Sequence, residues 1–162
     1  MEETIRNLSF EIVGIATLIL IVVIILAAVS KKRHTIYFGI ITLVVLATSG
    51  FLISSTIYLN TVSSSGGPVH WHADFEVWNC GTQMELKDPV GALSNKIGTP
   101  TLHEHNDKRI HLEGVVVEPK DASLGRFFGV LGGELTASSL ILPTNEGPVT
   151  MTSGNTCNNY PA

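Results

Sequence analysis

The chain has 162 residues, 44% hydrophobic and 15% charged, with fourteen acidic against ten basic side chains and a formal net charge of −4. That length allows one domain with an appendage. Beyond residue 68, six Lys and Arg stand against eleven Asp and Glu, an acidity that excludes the basic stripe of a nucleic-acid binder and suits a partner that is a cation.

The N-terminal third is built differently. Residues 12–29 (IVGIATLILIVVIILAAV) carry no charge, and residues 35–60 form a second uncharged run with Tyr37 and Tyr58 near its ends. At about 1.5 Å per helical residue, each is long enough to cross a hydrocarbon core of about 30 Å. Transmembrane helices are therefore predicted over about 12–29 and 36–58. The alternative is a signal peptide cleaved after Ala28-Val29-Ser30. The opening Met1-Glu2-Glu3 lacks the basic segment that such a peptide needs. Lys31-Lys32-Arg33-His34 is the single basic cluster, and basic turns stay cytoplasmic. This predicts a multi-pass protein of the cell membrane, with the lipid bilayer as partner and both the N-terminus and the C-terminal domain outside. His34 belongs to the basic turn and receives no other role. Neither run contains an ionisable side chain, which argues against transport or proton relay.

Residues 1–60 thus read as an anchor and 61–68 as a flexible linker, whose Ser63–Pro68 segment spans about 14 Å as a random coil. Residues 69–162 read as an extracytoplasmic domain. Val69–Val77 alternates apolar and polar side chains as a half-buried strand does. A second strand is expected over Thr82–Lys87, then a loop over 88–100. Leu102–His105 and Arg109–Val117 follow as strands joined across Asn106-Asp107-Lys108, residues that suit a turn. Leu124, Phe127, Phe128 and Leu131 recur at helical spacing, with Asp121 or Ser123 to cap the start and Gly132-Gly133 to end the helix. Strands over Leu135–Leu142 and Pro148–Thr152 complete the pattern. The fold class expected is α+β: a two-helix transmembrane hairpin, then a small, mainly antiparallel β domain with one short helix. A β-grasp-like sheet over Ser123–Leu131 is the first architecture, and a β-sandwich is the alternative.

Five of the six histidines fall between His70 and His111, as His70-x-His72, His103-x-His105 and His111. Neutral imidazole is the commonest metal-binding side chain. Residues two apart on a strand share a face, so His70 and His72 can reach one ion, with Asp74 and Glu76 continuing the row. The second group depends on hairpin register. A three-residue turn, Asn106–Lys108, sets His103 opposite His111 and gathers His103, His105, His111 and Glu113 on one face. A two- or four-residue turn sends His111 to the other face. The candidate metal ligands are therefore His70, His72, His103, His105, His111 and Glu113, with Glu76 as a further donor. Such a nitrogen-rich set suits copper or zinc. The function expected is membrane-anchored, extracytoplasmic binding of a transition metal for capture, delivery or sensing. Two alternatives stand beside it: a metal-free interaction module for an extracytoplasmic protein, and a metal-dependent enzyme with Glu76, Glu104 or Glu113 as base. No His-Glu-x-x-His helix, Gly-x-Ser-x-Gly elbow or phosphate-binding glycine loop is present, so an enzyme is the weaker reading. Cys80 and Cys157 are expected to pair as a disulfide, because an outward-facing domain of this size has a small core. The rival is a thiol serving as a metal ligand.

The order His70-Trp71-His72, Leu102-His103-x-His105, Ile110-His111-x-Glu113 and Leu124-Gly125-x-Phe127-Phe128 resembles an uncharacterised family of membrane-anchored extracytoplasmic domains in archaea and bacteria. The likeness covers about residues 69–131 and brings no activity with it. Chains of that kind continue in further strand after the segment resembling Gly154–Cys157, which implies a C-terminus cut short here. His70, His72 and Glu76 also resemble the first cupin motif, which would make them ligands of a cupin-like enzyme. The spacing from Glu76 to Gly81 is shorter than in cupins, and no second motif follows.

Overall fold

The computed structural model describes every residue except 31–33, 92–94, 155, 158–159 and 162. The basic turn Lys31–Arg33 lies outside the described residues. The chain divides into two compact units, Met1–Gly66 and Gly67–Ala162.

The first unit is two helices, α1 (Glu2–Val29) and α2 (His34–Val62). Both outrun the uncharged segments. At α1 the polar N-terminal turn joins the helix through an Arg6–Glu2 ion pair of 2.7 Å across one turn, a spacing that helices favour. The Tyr58 hydroxyl, near the end of α2, donates to the Met1 sulfur at 3.6 Å. The helices therefore run side by side in opposite directions. Ser9, Thr56 and Thr61 each donate to the carbonyl four residues back, which satisfies their hydroxyls inside the helix. Both helices are long and apolar enough to cross a membrane by length and composition.

The second unit carries short strands and one short helix. Its strands are β1 (Pro68–Asp74), β2 (Val77–Asn79), β3 (Thr82–Met84), β4 (Ile97–Gly98), β5 (Leu102–Glu104), β6 (Arg109–Val115), β7 (Glu134–Leu135), β8 (Ser139–Thr144), β9 (Gly147–Thr152), β10 (Thr156–Cys157) and β11 (Tyr160–Pro161). Helix α3 (Leu124–Val130) lies between β6 and β7, after a 3₁₀ turn at Pro119–Ala122. All pairings among the described residues are antiparallel. The strands form four small sheets, of which the largest are β1-β6-β5-β4 and β7-β8-β9. This differs from the single sheet over a helix expected from the sequence, and two breaks account for it.

The segment 69–77 is not one strand. β1 ends where its partner ends, at Asp74 opposite Arg109. One more backbone bond, Phe75 N–H to the Lys108 carbonyl at 3.0 Å, closes that edge. The chain then turns off to pair Val77–Asn79 with Thr82–Met84. The segment 135–142 is also broken, by a tight turn at Thr136–Ser139. There the Thr136 hydroxyl accepts from Ser139 N–H at 2.9 Å and Thr136 N–H reaches the Ser139 carbonyl at 2.8 Å. A hydroxyl that bonds nearby backbone offers the chain an alternative to the ladder.

Helix α3 follows the expected signals. The Ser123 hydroxyl accepts from Arg126 N–H at 3.2 Å. At the other end Gly132 takes φ +92° and Gly133 N–H reaches back to the Phe128 carbonyl at 2.8 Å, the geometry in which glycine closes a helix. The core of this unit is Leu86, Leu102, Leu112, Val116, Phe127, Phe128, Leu131 and Leu142. Leu102 and Leu112 face each other across β5 and β6. They turn one face of the large sheet to the core, so the alternate residues must occupy the other face. That second face carries the histidines. Cys80 and Cys157 form a disulfide that ties the β2–β3 turn to β10 across 77 residues of chain.

Candidate metal centre

The hairpin register decides which histidines meet. Asn106 and Lys108 adopt left-handed backbone, with φ of 64° and 58°. They make a three-residue turn, and His103 pairs with His111. Two carboxylates hold the turn. The Glu104 Oε1 accepts from the Asp107 and Lys108 amides at 2.7 and 3.2 Å, and the Asp107 Oδ1 accepts from Arg109 N–H at 3.2 Å. On the far side of β6, His72 lies opposite His111 and His70 opposite Glu113. The five histidines between residues 70 and 111, with Glu113, therefore share one face of three adjacent strands.

Two groups of donor atoms result: His103, His105 and His111, and His70, His72 and Glu113. Within each group one ligand atom per residue lies within 4.8 Å of the others. Zinc–imidazole bonds of about 2.0–2.1 Å would need donors about 3.4 Å apart, so closure on an ion takes side-chain rotation of about 1 Å.

The two groups differ in burial. His103 has no exposed surface, and neither of its ring nitrogens has a hydrogen-bond partner among the described residues. The closest carboxylate oxygen, Glu113 Oε2, stands 3.9 Å from Nε2. Burial first, and the positive charge of Lys96 second, push its pKa down from 6.5 to about 4. His103 is therefore neutral at physiological pH, the form in which imidazole binds metal. Gly98 presses against it. A side chain there would meet the Leu102 carbonyl oxygen at 2.6 Å and the His103 Cα at 3.0 Å, on backbone at φ +108° that already favours glycine.

Two neighbours of His103 have one ring nitrogen committed. His105 Nδ1 lies 2.9 Å from the Asn95 carbonyl. A carbonyl only accepts, so Nδ1 carries the proton and Nε2 keeps a free lone pair. His111 Nε2 lies 3.0 Å from Asp107 Oδ2, which leaves Nδ1 turned toward Glu113 Oε1 at 3.7 Å. Metal-binding histidines are held in this way, with the second nitrogen donating to a carbonyl or carboxylate that fixes tautomer and orientation.

The outer group is more open. His70 Nε2 lies 3.3 Å from Glu113 Oε1, with the His70 side chain 67% exposed. The pKa of His72 is lowered, first by partial desolvation and then by its neighbours His111, His70 and Arg109. Arg109 pairs with Asp74 at 2.6 Å, so Asp74 ends the row as the partner of a cation. Glu76 lies beyond the end of β1 and accepts from the Trp78 indole N–H at 2.9 Å. It belongs to neither donor group among the described residues. Glu104 points to the opposite face from His103 and His105, where it is buried and holds the turn. Cys80 and Cys157 are spent in the disulfide and offer no thiol.

By sequence Asp107 is a turn residue, and its bond to His111 is a second role. The signal available was its position four residues before His111, within reach across a tight turn. Asn95 and Gly98 carried no such signal, because both meet the histidines through a strand pairing, β4 on β5, that local pattern does not announce. Trp71 also departs from expectation. It lies on the core side of the edge strand yet is 58% exposed. It forms one wall of an apolar recess of about 320 Å³ with Leu102, Leu112, Leu124 and Phe127. No protein-family model, no curated protein and no solved structure matches the chain, so its own geometry has to carry the reading of this centre.

Proposed function

We propose that residues 67–162 form a capture site for a divalent transition-metal ion, copper or zinc, held outside a membrane by the α1–α2 hairpin. One observation carries this: a fully buried imidazole with both nitrogens unpartnered, facing two histidines whose tautomers are already fixed. An unsatisfied buried polar group costs about 1–3 kcal/mol. An ion bound by His103, His105 and His111 would satisfy one of the two His103 nitrogens and remove that part of the cost. Three imidazoles leave a fourth position for water or Glu113, as open zinc sites do. Affinity order favours copper where both metals are present. The exposed outer histidines beside the more deeply buried inner triad support capture and handover over long-term storage. The recess under Trp71 supports a second role in the same domain, contact with an extracytoplasmic protein that receives or supplies the ion.

The test is titration of the full-length chain in detergent with Cu²⁺ and Zn²⁺ at pH 7.5, wild type beside His105→Ala. Tight binding that the substitution weakens at least tenfold supports the site; binding that is absent or unchanged by the substitution defeats it. The membrane side is tested separately by thiol labelling of intact cells. Engineered cysteines beyond residue 68 should react and those at positions 31–33 should not. The opposite pattern reverses the topology.

A further inference from the structure

We propose that the two donor groups bind two ions together, as a pair bridged by the Glu113 carboxylate. This rests on the metal-capture reading above and adds the number and linkage of the ions. The first support is continuity. His70 touches His72 at 4.8 Å between ring centroids, and His72 touches His111 at 4.5 Å. His111 in turn touches His105 at 4.7 Å and His103 at 5.3 Å. Five imidazoles and a carboxylate exceed the four ligands of one tetrahedral ion. They divide into two triads without a shared residue.

The second support is the place of Glu113. It is the single carboxylate in either triad. Its Oε1 stands 3.3 Å from His70 Nε2 and 3.7 Å from His111 Nδ1. Its Oε2 stands 3.9 Å from His103 Nε2. One oxygen thus lies between the outer and inner histidines while the other turns to the buried one. Small movements give each ion one oxygen, and ions joined in this way stand about 3.5–4 Å apart. The negative charge between the two ions also offsets their repulsion, which is large at so short a separation.

The third support is asymmetry. His103 is buried and His111 nearly so, whereas His70 and His72 lie on an exposed strand. The inner triad therefore fills first and holds its ion more tightly. The outer ion, on the exposed strand, exchanges with solvent while the inner one is retained.

The experiment is a Cu²⁺ titration of the full-length chain in detergent, following copper per chain together with electron paramagnetic resonance. The expected result is two copper ions per chain. The first equivalent gives an isolated Cu²⁺ spectrum. The second brings a spin-coupled signal with a half-field line. His72→Ala, on an exposed position, should reduce the stoichiometry from two to one and leave the isolated spectrum. Glu113→Gln should abolish the coupling. Two ions with full, uncoupled intensity in wild type overturn the bridge, as does a coupled pair surviving in Glu113→Gln. One ion per chain at saturation overturns the pair and leaves metal capture standing. No bound copper or zinc overturns both.

Discussion

Replacing His103 with leucine should stabilise the metal-free domain, although the residue is wholly buried. Most substitutions in a core destabilise. Here the native side chain has two polar atoms without partners and no exposed surface. Leucine has similar bulk and nothing to satisfy. Removing the unmet hydrogen bonds should gain about 1–3 kcal/mol, less the cost of imperfect fit, for a net of about 1 kcal/mol at pH 7.5. Acid should widen the margin. The folded-state pKa of His103 is about 4 against 6.5 in the reference state. Between those values the unfolded chain binds more protons than the folded one, so wild-type stability falls as pH drops through that window. By pH 5 the loss is about 2 kcal/mol, and the leucine variant escapes it. Thermal unfolding of the detergent-solubilised full chain, read on the C-terminal domain, checks both steps. A domain of this size shifts by about 4–8 °C per kcal/mol. The variant should melt about 4–8 °C higher at neutral pH, with a larger gap at pH 5. Metal should reverse the order, because an ion in the inner triad at a hundredfold excess over Kd adds about 2.7 kcal/mol that the variant cannot gain. A variant that melts lower than wild type at pH 7.5, with a gap that does not change at pH 5, would refute the view that His103 is an unsatisfied ligand.

Three further outcomes follow from particular contacts. Gly98→Ala should cost about 1–3 kcal/mol through its left-handed backbone alone, and more through the clash with the Leu102 carbonyl. Denaturant midpoints check the loss, and metal titration should show weaker binding as β4 is pushed off His103. Asp107→Ala frees the proton-bearing nitrogen of His111 and should weaken metal affinity about 10–100-fold; calorimetric titration reads it. The double substitution Cys80→Ser, Cys157→Ser opens a loop of 77 residues. It should lower stability by about 4 kcal/mol in the chain-entropy model, as should reduction of the wild type, measured by urea unfolding.

The parts of the fold that depend on neighbours in sequence were legible. Ser123 and Gly132 mark the ends of α3 because capping is local. The Asn106–Lys108 turn carried the whole register argument because its length alone sets which face His111 takes. That register gathers His103, His105, His111 and Glu113 on one face, and the non-local pairing of β1 with β6 adds His70 and His72. What stayed hidden is non-local. β1 stops at Asp74 because β6 begins at Arg109, a boundary thirty-five residues away in sequence. The apolar–polar alternation running on to Val77 gives no sign of it. Trp71 reads as a core residue by alternation, yet the edge position of β1 leaves it largely uncovered. Glu104 sits between two histidines in sequence and on the other side of the sheet in space. Glu76 lies past the bend, where the strand's period no longer applies.

The strand order β1-β6-β5-β4 places His70 and His72 on a strand hydrogen-bonded along one side only. Leaving the sheet therefore takes the loss of one pairing, that of β1 with β6, whereas β6 is held on both sides. The amide protons of β1 should exchange with solvent well before those of Leu112 and Glu113. Each opening also carries both outer imidazoles away from Glu113 in a single motion. The residence time of anything gripped from that strand is therefore set by a backbone event, with the intrinsic strength of each nitrogen–metal bond a secondary influence.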